Sequence, residues 1–321
     1  MEGRPGGAVA FVAQVADQHP LAVIVALFLV ASAIASYWRT RLRGGRRSSQ
    51  AAGAPLNRRS ASRLALWLAV AVAAALAARN SIAETYVVAS GSMMPTVMVG
   101  DRLLVDKRAY GVKVPFTNHR LGSRLPRRGD VVLVRPGAAL AWEKLPTAAL
   151  IKRVVGLPGD RISYDSDRLI VNGWKVPLCD AGPYAAAATG KQSLRGRLVV
   201  EFLDDRAYLN VRPVGGPHLA TFTVPPGQVF LVGDNRGDSS DSRTWNGGQG
   251  AGVPVTTIEG RVTRILAGAR RDDGSLDLTR LFLRLGPELR RPGLDLTTTN
   301  GWIGECLQKR PPLTTPPAAK S

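Results

Sequence analysis

Three short segments carry residue types that could do covalent chemistry: Ser90-Gly91-Ser92-Met93-Met94-Pro95-Thr96, Ile151-Lys152-Arg153-Val154-Val155-Gly156-Leu157-Pro158-Gly159-Asp160, and Gly233-Asp234-Asn235-Arg236-Gly237-Asp238-Ser239-Ser240-Asp241-Ser242-Arg243. Taken singly, each has an ordinary structural explanation: a turn, an edge-strand lysine, a polar loop. Taken together, they hold serines and a lysine, residue types that a nucleophile and a base require. A serine hydroxyl is a weak nucleophile and needs a base beside it. A free lysine is protonated at neutral pH, so it serves as a base only when desolvated; lowering its pKa by ~3 corresponds to ~4 kcal/mol of environmental bias. Lys152 has Leu150-Ile151 before it and Val154-Val155 after it, apolar neighbours that favour burial.

Other chemistries fit less well. The third segment has the texture of a calcium loop, but Arg236 falls among the ligand positions and no closing Glu follows. Gly190-Lys191 lacks the upstream glycine of a phosphate loop. His19, His119 and His218 have no metal-ligand spacing, so neither a metal nor a cofactor is expected. Two Arg-Gly-Asp tripeptides, at Arg128 and Arg236, read as chance.

The elements that must position these residues differ along the chain. Residues 21–38 are an uncharged apolar run long enough for a short transmembrane helix, and 64–82 hold a second, Ala/Leu/Val-rich run. Between them, Arg39, Arg41, Arg43, Arg46, Arg47, Arg58, Arg59 and Arg63 stand without an acidic residue. The positive-inside rule makes this loop, 39–63, cytoplasmic, and puts residues 1–20 and everything beyond 82 on the far side. Much of the basic character behind the net charge of +19 is thereby a topology signal that also touches anionic lipid. Binding to nucleic acid is not expected, because only a short loop faces that compartment.

Beyond residue 82 the texture becomes short β-branched runs broken by Gly, Pro and Asp. Strands are expected at 102–105, 130–135, 161–164, 168–171, 174–177, 230–232 and 260–266, with Asn172-Gly173 a hairpin turn. The class is mainly β and antiparallel. Residues 178–222 read as irregular strands and loops, and the tail from 271 to 321 as a partly disordered extension. Cys179 and Cys306 fall on the non-cytoplasmic side, where a disulfide is permitted; their pairing stays open.

In this order, with two anchors, a basic loop, and then the serine, lysine and Gly-Asp-Asn boxes, the chain resembles the bacterial type I signal peptidases. The likeness extends to Gly100-Asp101, Lys107-Arg108-Ala109-Tyr110-Gly111 and Arg128-Gly129-Asp130-Val131-Val132. It implies a membrane-bound Ser/Lys protease with an antiparallel coiled β-sheet domain (83–270) carrying a smaller insertion (about 165–225). By the same resemblance Ser92 is the nucleophile and Lys152 its general base. The Ser90 hydroxyl joins the Ser92 N–H in the oxyanion hole, and Ser239 orients the lysine. Arg153, Asp234, Asp241 and Arg243 form a charge network behind the site, and Tyr86, Val88, Val97, Leu150 and Ile151 line shallow substrate pockets. The implied partners are preproteins with Ala-x-Ala-like cleavage sites, the lipid bilayer and a nearby export translocon. The implied location is the cell (inner) membrane. A conjugation- or pilus-associated peptidase of the same family and a non-catalytic basic scaffold are the alternatives.

Overall fold

The structure, a computed structural model, describes residues 82–113, 120–136, 149–165, 168–187, 193–213, 218–268, 277–286, 296–312 and 315–317, with 67, 68 and 71 nearer the N-terminus. Two compact units divide the chain, Met1–Ile82 and Ala83–Ser321. The expected spans over 21–38 and 64–82 and the basic loop 39–63 lie outside the described residues, apart from Trp67, Leu68 and Ala71, which are helical. Among the described residues no helix is long and apolar enough to cross a membrane.

The second unit is built on a curled antiparallel sheet, its strands numbered along the chain. In spatial order they are β1 (Ala83–Val87), β2 (Arg102–Asp106), β16 (Ile258–Ala267), β5 (Val131–Val134), β6 (Leu150–Gly156), β14 (Gln228–Val232) and β15 (Val253–Pro254), with β17 (Leu283–Arg284) also on β16. Register shifts in β16 and β14 place extra residues on one side of the ladder, which bends and twists a sheet. Successive strand residues face opposite sides, and both sides here are buried. Val131 and Leu133 pack with Val88, Val97, Leu103 and Ile151. Val132 and Val134 pack with Val154, Leu231 and Trp245. This double burial explains why β5 reads as a continuous apolar run without alternation.

Three smaller sheets follow. A short hairpin joins β3 (Val112–Lys113) to β4 (Arg120–Leu121). A second sheet runs β13 (Leu219–Thr223), β7 (Arg161–Asp165), β8 (Arg168–Val171), β9 (Trp174–Lys175). Its β8–β9 turn has φ of 54° at Asn172 and 81° at Gly173, the paired left-handed conformation of a two-residue hairpin turn.

The remaining sheet corrects the expectation for 178–222. In place of irregular strands and loops there are three long antiparallel strands, β10 (Leu178–Ala187), β11 (Ser193–Leu203) and β12 (Arg206–Arg212). Leu198, Val200, Phe202, Leu209 and Val211 form their buried face. The Ala, Gly and Arg residues on the other positions masked the two-residue period in the sequence.

Parts of the tail are described too. Leu296–Gln308 forms a helix, α1, with Ile303 and Cys306 buried against β10–β12. Cys306 forms a disulfide with Cys179, their Cα atoms 5.5 Å apart, within the ordinary span of such a bond. Arg280 is buried on Asp101 at 2.5 Å. Pro316 is buried, and the Pro317 carbonyl accepts a 2.7 Å hydrogen bond from Asn172 Nδ2.

Candidate active site

The serine box sits on a short turn between β1 and β2. Gly91–Met93 form one turn of 3₁₀ helix entered from an extended Ser90, and Met94 N–H closes it on the Gly91 carbonyl at 3.0 Å. Met93 is buried with Val88, Val97 and Ile151, so the turn is anchored by an apolar side chain while Ser92 faces β6.

Lys152 lies in the middle of β6, between β5 and β14, and is 3% exposed. Its Nζ lies 2.7 Å from Ser92 Oγ. The Ser90 hydroxyl is 3.4 Å from the Ser92 hydroxyl. Burial pulls the Lys152 amine down to about 8 from 10.5. The Asp241 carboxylate opposes this, and the Arg243 guanidinium assists. Removal of water from a charged amine is the dominant cause, as the apolar neighbours in the sequence imply.

The four charged residues make two separate buried pairs. Arg153 grips Asp234 through two hydrogen bonds, 2.7 and 2.6 Å, and its guanidinium lies over the Tyr208 ring at 4.1 Å. Arg243 grips Asp241 through two of 2.8 Å. Burial alone would raise the Asp241 carboxyl. Arg243 outweighs it, with smaller help from the Gly233 N–H and the Ser239 hydroxyl, and the carboxyl stays below its usual value. Paired and hydrogen-bonded, these groups keep their charges in a dry interior.

Two expectations need revision. Ser239 is buried beneath the site, but its hydroxyl makes no hydrogen bond to Lys152, and Asp241 is the charged group that it influences. Leu150 packs on the side of the sheet that holds Val132 and Trp245, whereas Tyr86, Val88, Val97 and Ile151 share the other side. The cause is strand alternation: neighbours in β6 face opposite ways, so Leu150 shares a face with Lys152, which pairs with Val132, and Ile151 lies on the other.

The sequence reading gave no role to Gly233, Asn235 or Arg236 of the third box. A Cβ on Gly233 would fall inside van der Waals contact with the Ser92 carbonyl oxygen and the Ser239 hydroxyl, so only glycine lets the two loops approach. Asn235 binds the serine turn twice, N–H to the Ser92 carbonyl at 3.0 Å and Nδ2 to the Gly91 carbonyl at 3.2 Å. Arg236 pairs with buried Glu201 of β11, which also holds Arg212 at 3.0 Å. The box signature itself, Gly-Asp-Asn-Arg, was the available signal. Among the described residues no group of three or more His, Cys, Asp or Glu is arranged to hold a metal ion.

The chain is similar to known proteins. The family described as signal peptidase, peptidase S26, matches residues 61–267. A signal peptidase I of Pseudomonas fluorescens is 37% identical over 178 residues, covering 53% of this chain and 58% of that protein. One of Rickettsia typhi is 30% identical over 234 residues, covering 66% of this chain and 83% of that protein. The chain thus spans less than two thirds of the Pseudomonas relative. A crystal structure of a signal peptidase I from Enterococcus faecalis aligns at 20% identity, covering 44% of this chain and 98% of that one, with a TM-score of 0.24, which is too low to bear on the fold. The family match takes in more than half of the residues, among them every one of the three boxes, and by that match the chain belongs to the signal peptidase family, peptidase S26.

Proposed function

We propose that this chain is a membrane-bound type I signal peptidase, a serine endopeptidase that removes N-terminal signal peptides from exported preproteins after small, Ala-x-Ala-like residues. The observation that carries this reading is the 2.7 Å contact between the Ser92 hydroxyl and a buried lysine whose amine is pulled down to about 8. In that state a substantial share of the amine is neutral near physiological pH and can accept the serine proton.

The steps follow from this pair. Neutral Lys152 takes the Ser92 proton as Oγ attacks the scissile carbonyl, forming a tetrahedral oxyanion. The Ser92 N–H and the Ser90 hydroxyl donate to that oxygen. Lys152 then returns the proton to the leaving amine, which departs as the new N-terminus and leaves an acyl-enzyme on Ser92. Water, deprotonated by the same lysine, releases the signal peptide. Ser239 supports the lysine indirectly, through Asp241. Tyr86, Val88, Val97 and Ile151 present an apolar, closely packed wall that admits small side chains and rejects large ones by overpacking.

The layout expected from the sequence belongs to the same proposal. Two spans anchor the catalytic domain (83–270) on the extracytoplasmic face of the cell membrane, near the translocon that delivers preproteins. The test is incubation of the detergent-purified chain with a preprotein carrying an Ala-x-Ala site. Wild type should release the mature protein with the expected new N-terminus, and Ser92→Ala should release none. Equal cleavage by the two proteins would refute the assignment.

A further inference from the structure

Asn235 contributes more to this site than a loop contact. Its side chain is 2% exposed, and Nδ2 donates to the Gly91 carbonyl at 3.2 Å. Oδ1 is buried without a hydrogen-bond partner, so the side chain's hydrogen bond to the turn is this one donation. The peptide between Gly91 and Ser92 is trans, since Met94–Pro95 is the cis bond recorded among the described residues. In a planar trans peptide the C=O and the following N–H point in opposite directions. Holding the Gly91 oxygen toward Asn235 therefore turns the Ser92 N–H away from it. The next peptide is held too, by the Asn235 N–H on the Ser92 carbonyl at 3.0 Å. The turn's own closing bond, Met94 N–H to the Gly91 carbonyl, is of the 3₁₀ type, whose geometry is poor and whose hold is weak.

Asn235 is itself fixed from the far side. Val211 of β12 donates to the Asp234 carbonyl and accepts from the Arg236 N–H, both at 2.8 Å, and the Arg236 side chain pairs with Glu201 of β11. The segment 234–236 is thus an added strand contact on the β10–β12 sheet, carrying Asn235 outward to the nucleophile turn.

We infer that Asn235 is a positioning residue of the oxyanion hole, locking the Gly91–Ser92 peptide so that the Ser92 N–H faces the developing oxyanion. This rests on the reading of Ser92 as the nucleophile. Its signature is specific: the donor is mis-aimed while the Ser92–Lys152 contact remains, so the loss falls on the transition state alone.

The test is steady-state cleavage of the preprotein by the full chain in detergent across pH, with Asn235→Ala, Asn235→Asp and Ser92→Ala. Asn235→Ala should lower kcat on the order of 10–100-fold, short of the full loss of an oxyanion donor. KM should be little changed, and the pH midpoint of kcat/KM should equal that of wild type. Asn235→Asp keeps the size but sets a carboxylate against the Gly91 carbonyl, so it should lose at least as much kcat. Wild-type kcat in Asn235→Ala, a rise in KM alone, or a moved pH midpoint would overturn the inference. So would loss of the folded state in both variants by thermal melting, which would make Asn235 a folding residue. Activity in Ser92→Ala would instead sink the nucleophile assignment. An inactive Ser92→Ala beside a fully active Asn235→Ala would sink the inference alone.

Discussion

At the scale of single residues, the account turns on one lysine that is stabilised in its neutral form. The folded chain releases the Lys152 proton near 8, whereas the unfolded chain holds it to about 10.5. Below 8 both states are protonated and the folded state carries the full burden of a buried ammonium. Between 8 and 10.5 the unfolded state binds the extra proton, so stability rises with pH through that window. Lys152→Met should therefore stabilise the fold at pH 7 by up to about 3 kcal/mol, fading above pH 10, while abolishing cleavage; chemical denaturation at several pH values measures it. A variant less stable than wild type at pH 7 would argue against a strained lysine. Ser90→Ala should lower kcat about 10²–10³-fold with KM little changed, as the loss of one transition-state donor does. A raised KM at unchanged kcat would make Ser90 a substrate-binding group instead. Ser239→Ala should cost less and move the pH midpoint through Asp241. The serine and lysine were legible because their types and order carry the signal. The Ser239 contact was not, because which of two neighbouring polar groups a hydroxyl approaches depends on loop packing of a few tenths of an ångström.

At the scale of elements, β6 and the 233–243 loop do the positioning, and the sequence revealed them unequally. Strands such as β2, β5, β7 and β8 stood out as β-branched runs beside Gly, Pro or Asp, and Asn172-Gly173 located its hairpin, whereas β6, interrupted by Lys152-Arg153, was not among the expected strands. The faces of neighbouring residues were harder to read, since Leu150 and Ile151 are adjacent in sequence yet opposite in space. Their variants should separate accordingly. Ile151→Ala should widen the set of residues tolerated at the cleavage site, read from cleavage of preproteins with larger side chains before the cut. Leu150→Ala should leave that selectivity unchanged and cost stability, about 2 kcal/mol, near the low end for a large-to-small change because the side chain is half-buried. Reversal of the two phenotypes would exchange the faces of β6. Gly233→Ala should impair activity and folding together, because the added methyl meets the Ser92 carbonyl.

At the scale of the whole molecule, the chain joins a basic, apolar N-terminal unit to a β-rich unit closed by its own C-terminus. The disulfide from Cys179 to Cys306 spans 127 residues of sequence and pins α1 to the β10–β12 sheet. Sequence could not decide that pairing, because nothing local to Cys306 marked the helix as packed; its partners Leu198, Phe202 and Val211 lie about a hundred residues away. Cys306→Ser should lower stability by about 2–5 kcal/mol and spare the chemistry, since the bond lies outside the site. Topology has its own check: protease added to sealed, right-side-out spheroplasts should digest the domain beyond residue 82 and spare the loop 39–63, and the opposite pattern would reject the export role. The central claim, that a desolvated Lys152 is the base for Ser92, is tested most directly by the pH dependence of kcat/KM for preprotein cleavage by the wild-type chain in detergent. The account predicts a rise with a midpoint near 8, absent in Lys152→Ala. A rise only near 10, or the same profile in Lys152→Ala, would contradict it.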